Sequence, residues 1–186
     1  MSTGNGGPAS ALLVAHGVLD DVFALHQEAL MLLDLDAAEA ALSAYRRLLE
    51  VHMGHEESVL MEVFRRAGPM PKWPVVLYTG QHAKLLEQLA RLEAMLQSLR
   101  GRQGREQRHA ILELFDREAT FKHLLEHHDG AEREGFFPTV DAQLTEEETR
   151  NTLPRLLDEW NERVREGKGE VDGIAQRLEA RAARLV

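Results

Sequence analysis

The sequence predicts an all-α protein in which four long helices form an up-down-up-down bundle, with extra helices at the C-terminal end. Apolar residues recur at helical spacing through most of the chain, and the breaks between these patterns are short. No segment shows the period-2 alternation of a half-buried strand. A chain of 186 residues is long enough to bury one sizeable core. We therefore expect one bundle domain over residues 11–142.

The helix ends are predicted from capping residues and from breaks rich in Gly and Pro. Residues 1–10 are rich in Gly, Ser and Asn, and we expect them to be disordered. Asp36 is predicted to cap the second helix, and the fourth helix is predicted to stop before Phe136. The four helices are expected at residues 11–33, 36–67, 75–99 and 105–134.

The C-terminal segment, residues 143–186, is expected to be helical. Thr145 and Glu148 form a capping-box pattern, and Pro154 is expected to start or kink a helix. A narrow apolar stripe follows and predicts packing on the bundle, or on a second copy to form a homodimer. It consists of Val171, Ile174, Leu178 and Leu185.

Composition excludes several classes of function. The net charge of −9 disfavours nucleic acid and anionic membranes as partners. The absence of cysteine excludes disulfides, thiolate metal sites and thiol catalysis. No signal-peptide pattern and no long uninterrupted apolar run is evident, so we expect a cytoplasmic protein with no membrane span.

One short pattern occurs twice in the chain. Leu49–Glu56 reads LEVHMGHE and Leu125–Glu132 reads LEHHDGAE, so both read L-E-x-H-x-G-x-E. Each copy places a His four residues before a Glu, and side chains at these positions share one face of a helix. Imidazole and carboxylate groups are ligands of transition metals. The repeat therefore predicts that two helices contribute ligands to one metal centre.

The helical wheel assigns one His to the buried face of each long helix, namely His26, His52, His82 and His128. Buried carboxylates are costly unless they are paired or bind a metal, so the two Glu of the repeats favour a cation in the core. The predicted ligands are His26, His52, Glu56, His82, His128 and Glu132.

Other His and Glu residues are interpreted differently. His16 lies off the wheel position of His26 and is expected to make a local surface interaction with Asp20. His55 is a candidate outer partner of the ligands. The remaining residues are expected to be solvated, and these are Glu57, His109, His123, His127 and Glu134.

These motifs resemble the hemerythrin-like HHE cation-binding family across roughly residues 23–141. The matching pieces are Leu25-His-Gln, His52-Met-Gly-His-Glu-Glu, Gln81-His-Ala-Lys-Leu-Leu86 and His127-His-Asp-Gly-Ala-Glu132. The resemblance implies a four-helix bundle around two non-heme iron ions. It also implies that Glu56 and Glu132 bridge these ions together with an oxo, hydroxo or water ligand. The implied partner is dioxygen or another small diatomic or peroxide ligand.

One position departs from this family. Oxygen-carrying hemerythrins have a second His four residues after the third-helix His, and here that position is Leu86. Four His instead of five leave an iron open or bound by solvent, which weakens the case for a pure oxygen carrier. The ferritin-like alternative needs Glu-x-x-His twice, and only Glu106 to His109 fits.

Three functions remain open from the sequence. The first is a metal protein that binds or senses dioxygen or a related oxidant in a pocket shaped by Leu30, Leu49, Leu86 and Leu125. The second is a di-iron enzyme that acts on peroxide or nitric oxide or repairs iron centres, although the cysteine-bearing segment of such repair proteins is missing. The third is a helical interaction module with a zinc or empty site.

Overall fold

The computed structural model describes residues 7–70 and 72–184 and is mainly helical, with no strand in these ranges. The all-α prediction is confirmed. The α-helices are α1 (Val14–Met31), α2 (Leu35–His55), α3 (Met61–Arg65), α4 (Val75–Ser98), α5 (Gly104–Ala131), α6 (Phe137–Gln143) and α7 (Glu146–Ala182).

Two π-helical segments interrupt the second and fourth long helical rods. Glu56–Leu60 joins α2 to α3, and Glu132–Phe136 joins α5 to α6. The predicted end of the fourth helix before Phe136 is wrong, because the helical path continues to Gln143. Pro138 lies in the first turn of α6, where a missing amide is tolerated.

Four helices form a closed ring of contacts around the core. Helix α1 contacts α2 and α5, and α4 contacts the same two helices. Helix α7 packs across α1 and α2. These contacts bring one face of each ring helix to a common interior, while the up-down-up-down order of a four-helix bundle stays a prediction.

Two apolar clusters fill this interior. Phe23, Tyr45 and Phe121 stack edge to face or tilted in the first cluster, with ring centroids 5.1–6.0 Å apart. The second contains an aromatic group of Phe64, Tyr78 and Phe136. The repeated His and Glu residues lie between these aromatic groups along α2 and α5, so apolar packing encloses them from both sides.

The turn between α1 and α2 lies earlier in the chain than predicted. Asp34, rather than Asp36, caps α2 by accepting a hydrogen bond from the amide of Ala37 at 3.2 Å. The chain reverses at Leu33, whose φ of 56° lies in the left-handed region. The second helix therefore begins two residues earlier than the predicted capping pattern implies.

Helix α7 runs for 37 residues and is anchored at both ends. The predicted capping box of Thr145 and Glu148 is confirmed. The helix continues through Pro154 rather than starting there. Near its other end, Arg177 makes two hydrogen bonds of 2.6 and 2.7 Å to the Asp34 carboxylate. The tail thus packs on helices of its own chain, and a homodimer stays a prediction; Leu185 lies outside the described residues.

The N-terminal segment becomes ordered earlier than expected. Pro8–Leu13 forms a short 3₁₀ helix in which Ala9 is fully buried. The amide of Ala9 donates to the Asp141 carboxylate at 2.7 Å, which ties the segment to α6. Residues 1–6, where disorder was also expected, lie outside the described residues.

The stretch Pro8–Met31 is long and apolar enough, by composition alone, to cross a membrane, with a mean hydropathy of 1.4. We did not expect such a stretch. In the fold its apolar side chains supply core contacts, because Leu12, Leu19, Val22 and Phe23 are all buried. A helix that packs into the core of a soluble fold can reach the same hydropathy.

Candidate metal centre

Six buried side chains converge in the interior, four imidazoles and two carboxylates. Each is 5% exposed or less. They form two overlapping groups, and within each group one ligand atom from every residue lies within 4.8 Å of the others. The first group is His16, His52, Glu56 and Glu132, and the second is Glu56, His82, His128 and Glu132.

Glu56 divides its two oxygens between the two groups. Its Oε1 lies 3.4 Å from Nε2 of His52, and its Oε2 lies 3.2 Å from Nε2 of His82. A carboxylate with one oxygen toward each imidazole pair has the arrangement needed to bridge two ions. Each ion would then be held by nitrogen and oxygen donors.

Glu132 is arranged in the same way. Its Oε2 lies 3.2 Å from Nε2 of His16, and its Oε1 lies 2.7 Å from Nε2 of His128. Together with Glu56, it gives each of the two positions two imidazole nitrogens and two carboxylate oxygens. The Nε2 atoms of His16 and His52, 3.1 Å apart, mark the first position.

The two Glu residues occupy equivalent backbone positions. Glu56 and Glu132 are each the first residue of a π-helical segment, and each follows its His by four residues. The wider π turn occurs frequently at functional sites, where it changes the direction of side chains within a helix. The sequence repeat thus corresponds to a repeated local structure on α2 and α5.

Polar groups lie behind three of the imidazoles, and two of these groups, on Glu57 and Gln81, form hydrogen bonds with the rings. Glu57 lies 2.8 Å from Nδ1 of His82, Asp129 lies 3.3 Å from Nδ1 of His16, and Gln81 lies 3.3 Å from Nδ1 of His128. Such outer partners fix the ring orientation and the tautomer of metal-binding His residues. They leave the Nε2 atoms directed at the cluster.

Burial and mutual contacts shift the protonation equilibria of the cluster strongly. Burial lowers the pKa of His52 to about 3. Burial also acts against charge on His16 and His82, but close contacts with neighbouring carboxylates raise the pKa of both to about 10. Burial and repulsion from Glu132 raise the pKa of Glu56 to about 8. The metal-free cluster therefore carries bound protons near neutral pH.

The pKa of Glu132 shifts in the opposite direction. Burial acts to raise it, but the contacts with His128, His16 and His82 lower it well below its ordinary value. One carboxylate is thus stabilised as an anion and the other as a neutral acid. This division is expected when like charges share a buried site without a cation.

The donor set fits metal ions by an independent criterion. Several of its buried atoms have no hydrogen-bond partner among the described residues, and buried polar groups are normally satisfied. Five of these atoms, both oxygens of Glu56, Oε2 of Glu132, and Nε2 of His82 and His128, belong to the two ligand groups and would be satisfied by an ion. Nδ1 of His16, beside Asp129, is a sixth atom without a hydrogen-bond partner in the described part of the chain.

The structure corrects the first-helix ligand. His26 does not join the cluster; its Nε2 lies 2.9 Å from Glu118 and its Nδ1 lies 2.8 Å from the carbonyl of Ala38. His16, which was expected at the surface beside Asp20, is buried and takes the place in the cluster. The other five predicted residues do come together.

The position of each residue along the axis of α1, and not only its direction around the helix, explains this correction. The wheel gives only the direction of a side chain, and His16 and His26 are ten residues, or about 15 Å, apart along α1. Helices α1 and α2 are joined at residues 32–34, so residues equally far from that turn lie at the same level. His52 is therefore level with the His16 region, and His26 with Ala38. Counting residues in both directions from the predicted turn would have placed the His16 region opposite His52.

The structure also places the other candidates. Glu57, expected to be solvated, contacts His82, and no feature of the wheel indicated this. His55 lies 3.2 Å from Glu159 of α7 instead of behind a ligand. His123 and His127 are exposed, as expected, and their Nε2 atoms are 3.2 Å apart.

Two small cavities border the cluster. One, of about 10 Å³, is lined partly by His52, Glu56 and Trp160. The other, of about 20 Å³, includes the predicted pocket residues Leu49 and Leu125 in its lining. Leu30 and Leu86 do not line it, so that part of the predicted pocket is wrong; Leu30 lies with the His26 end of α1.

Comparison of the chain with protein-family models, curated proteins and solved structures gave no match. The functional assignment therefore depends on the donor set and its geometry. The donors form two buried clusters of His and Glu side chains that can hold metal ions.

Proposed function

We propose that this chain is a hemerythrin-like protein that binds two non-heme iron ions and, through them, dioxygen or a related small oxidant. The main support for the proposal is the position of the Glu56 and Glu132 carboxylates. In each of them, one oxygen lies near one imidazole pair and the other oxygen lies near the second pair. A cluster that held only protons would not need both carboxylates in this bridging arrangement.

Each residue has a distinct role in this proposal. His16 and His52 would hold one ion and His82 and His128 the other, while the two Glu residues would neutralise and join them. Bound ferrous iron would supply electrons to the oxidant. The surrounding apolar side chains exclude water, which strengthens electrostatic interactions inside the site.

Cavity size restricts the ligand under both a binding or sensing role and an enzymatic one. The cavities that border the cluster are of about 10 and 20 Å³, so they admit a molecule of a few atoms and no larger organic substrate. A di-iron enzyme acting on peroxide or nitric oxide would use molecules of the same size. Stoichiometric binding without turnover in a peroxide or nitric oxide assay supports the binding role, and sustained turnover supports the enzyme.

A zinc protein is the second candidate, and one observation favours it. Each position has four donors, two nitrogens and two oxygens, and four is the number that structural zinc sites use. Iron commonly accepts further ligands, so an iron site of this composition keeps positions free for a small molecule. The cavity beside His52 provides room for such a ligand.

Metal analysis and the visible spectrum of freshly purified protein, before and after exposure to air, test the proposal. We expect two iron ions per chain and near-ultraviolet bands of oxo-bridged iron after oxidation. Two zinc ions and no spectral change would replace the proposal with the second candidate. Absence of both metals after expression in supplemented medium would contradict each of them.

A further inference from the structure

Tyr45 of α2 carries a buried hydroxyl group that the fold leaves unsatisfied. The side chain is 1% exposed, and its ring packs against Phe23 and Phe121. Its hydroxyl has no hydrogen-bond partner among the described residues. Because buried hydroxyls are normally paired, this one requires an explanation, and the apolar packing of the ring does not supply it.

Tyr45 is one of the residues that line the small cavity at the metal centre. This cavity, of about 20 Å³, is bordered by Tyr45 and by three of the cluster imidazoles, His16, His52 and His128. A space of this size holds one water molecule or a ligand of similar size. Tyr45 is thus an unpaired donor that shares a cavity with the candidate metal ligands.

A wider cavity lies beside this space. It measures about 250 Å³ and shares Asp20, Leu125 and Asp129 with the small cavity. Asp20 is exposed and Asp129 is half-buried, so the shared residues reach from solvent to the interior. The small cavity therefore lies close to solvent on the side of the cluster where Tyr45 is found.

We propose that the Tyr45 hydroxyl donates a hydrogen bond to a small ligand bound at the metal position of His16 and His52. This inference rests on the proposed function. It specifies the ligand as a molecule of a few atoms with a hydrogen-bond acceptor away from the metal. Tyr45 then favours such ligands over ligands that coordinate the metal but accept no hydrogen bond. Its hydroxyl remains unsatisfied until the ligand or a water molecule occupies the cavity.

Tyr78 provides a matched control. It is also a buried tyrosine in an aromatic cluster, but its hydroxyl donates to the carbonyl of Ala131 at 3.3 Å. It is absent from the lining of the small cavity. Tyr45→Phe and Tyr78→Phe therefore remove the same group from two buried sites, of which one faces the cavity.

The experiment compares the wild-type chain, Tyr45→Phe and Tyr78→Phe after iron loading. Iron content is measured first, and azide is then titrated while its charge-transfer absorption is followed. We expect equal iron in all three proteins, roughly tenfold weaker azide binding in Tyr45→Phe, and no change in Tyr78→Phe. Equal iron with equal azide affinity overturns the role of Tyr45 alone. A wild-type chain without iron overturns both this inference and the proposed function.

A second readout uses the metal-free proteins. If the Tyr45 hydroxyl is kept for a ligand, Tyr45→Phe should melt at or above the wild-type temperature. A fall of about 3 °C or more, which loss of a structural hydrogen bond produces in a chain of this size, would overturn the proposal. Tyr78→Phe, which loses a bond to Ala131, should show such a fall.

Discussion

The buried pair of His26 and Glu118 should stabilise the fold without contributing to metal binding. Both side chains are fully buried, and the pair is closed by a 2.9 Å contact. His26 also contacts the carbonyl of Ala38 at 2.8 Å, while Gln27 donates to the other oxygen of Glu118 at 2.8 Å. Replacing His26 by Ala leaves Glu118 with Gln27 as its remaining partner in a dry interior.

The expected loss follows from this burial. Removing one partner of a buried pair costs about 3–5 kcal/mol, because the other is left uncompensated. If the free energy of unfolding falls by about 2 kcal/mol per molar urea, the urea concentration at the midpoint of unfolding should fall by about 2 M. The double variant His26→Leu/Glu118→Leu removes both polar groups, so most of that stability should return.

The assay is urea unfolding of the metal-free proteins together with metal analysis of the folded ones. His26→Ala and the double variant should keep the wild-type metal content, whereas His16→Ala should lose metal. If a folded His26 variant loses metal and His16→Ala does not, the assignment of the first-helix ligand is refuted. The double variant keeps the comparison possible if His26→Ala does not fold.

Three further predictions concern packing, the outer partners and protons. A Cβ at Gly135 would lie 2.6 Å from Trp73, so Gly135→Ala should destabilise by about 1–3 kcal/mol in thermal unfolding. Gly173→Ala, in open space on α7, should instead stabilise by about 0.5–1 kcal/mol. Glu57→Gln should weaken metal binding about 10- to 100-fold in a chelator competition, because it alters the partner of His82; unchanged affinity would remove Glu57 from the site. The raised pKa values of His16, Glu56 and His82 in the metal-free cluster mean that a metal ion must displace protons when it binds. Loading the protein with metal at pH 7 should therefore release protons into a weakly buffered solution. The affinity for metal should also fall as the pH is lowered.

The sequence predicted much of the fold because its signals were local. Helical periodicity, the Thr145 capping box and the Gly- and Pro-rich breaks all act within a few residues, and they gave the class and most helix positions. Local signals also led to the wrong cap at Asp36. Two acidic residues, Asp34 and Asp36, stood close to the turn, and only the reversal at Leu33 selects the first of them.

The candidate site was predicted where a repeat encoded it. His52, Glu56, His128 and Glu132 belong to one pattern on two helices, and His82 lies on a clear apolar stripe. The error at His26 arose because direction around a helix was used without height along it. The pairing of His26 with Glu118 depends on a residue 92 positions away, which no local pattern reveals.

The π-helical segments also lay beyond sequence reasoning. They begin at Glu56 and Glu132, two residues after Gly54 and Gly130. A Cβ at either glycine would meet open space, so nothing in the structure explains why both repeats carry Gly there. The repeat was visible, but the wider helical turn that follows each copy was not.

Anomalous diffraction from crystals of the iron-loaded protein, collected at the iron absorption edge, would locate the bound ions directly. We expect two peaks per chain, one beside Nε2 of His16 and His52 and the other beside Nε2 of His82 and His128. Glu56 and Glu132 should each contact both peaks. A peak at His26 and Glu118, or an iron-loaded crystal with no peak among the four imidazoles, would contradict this expectation.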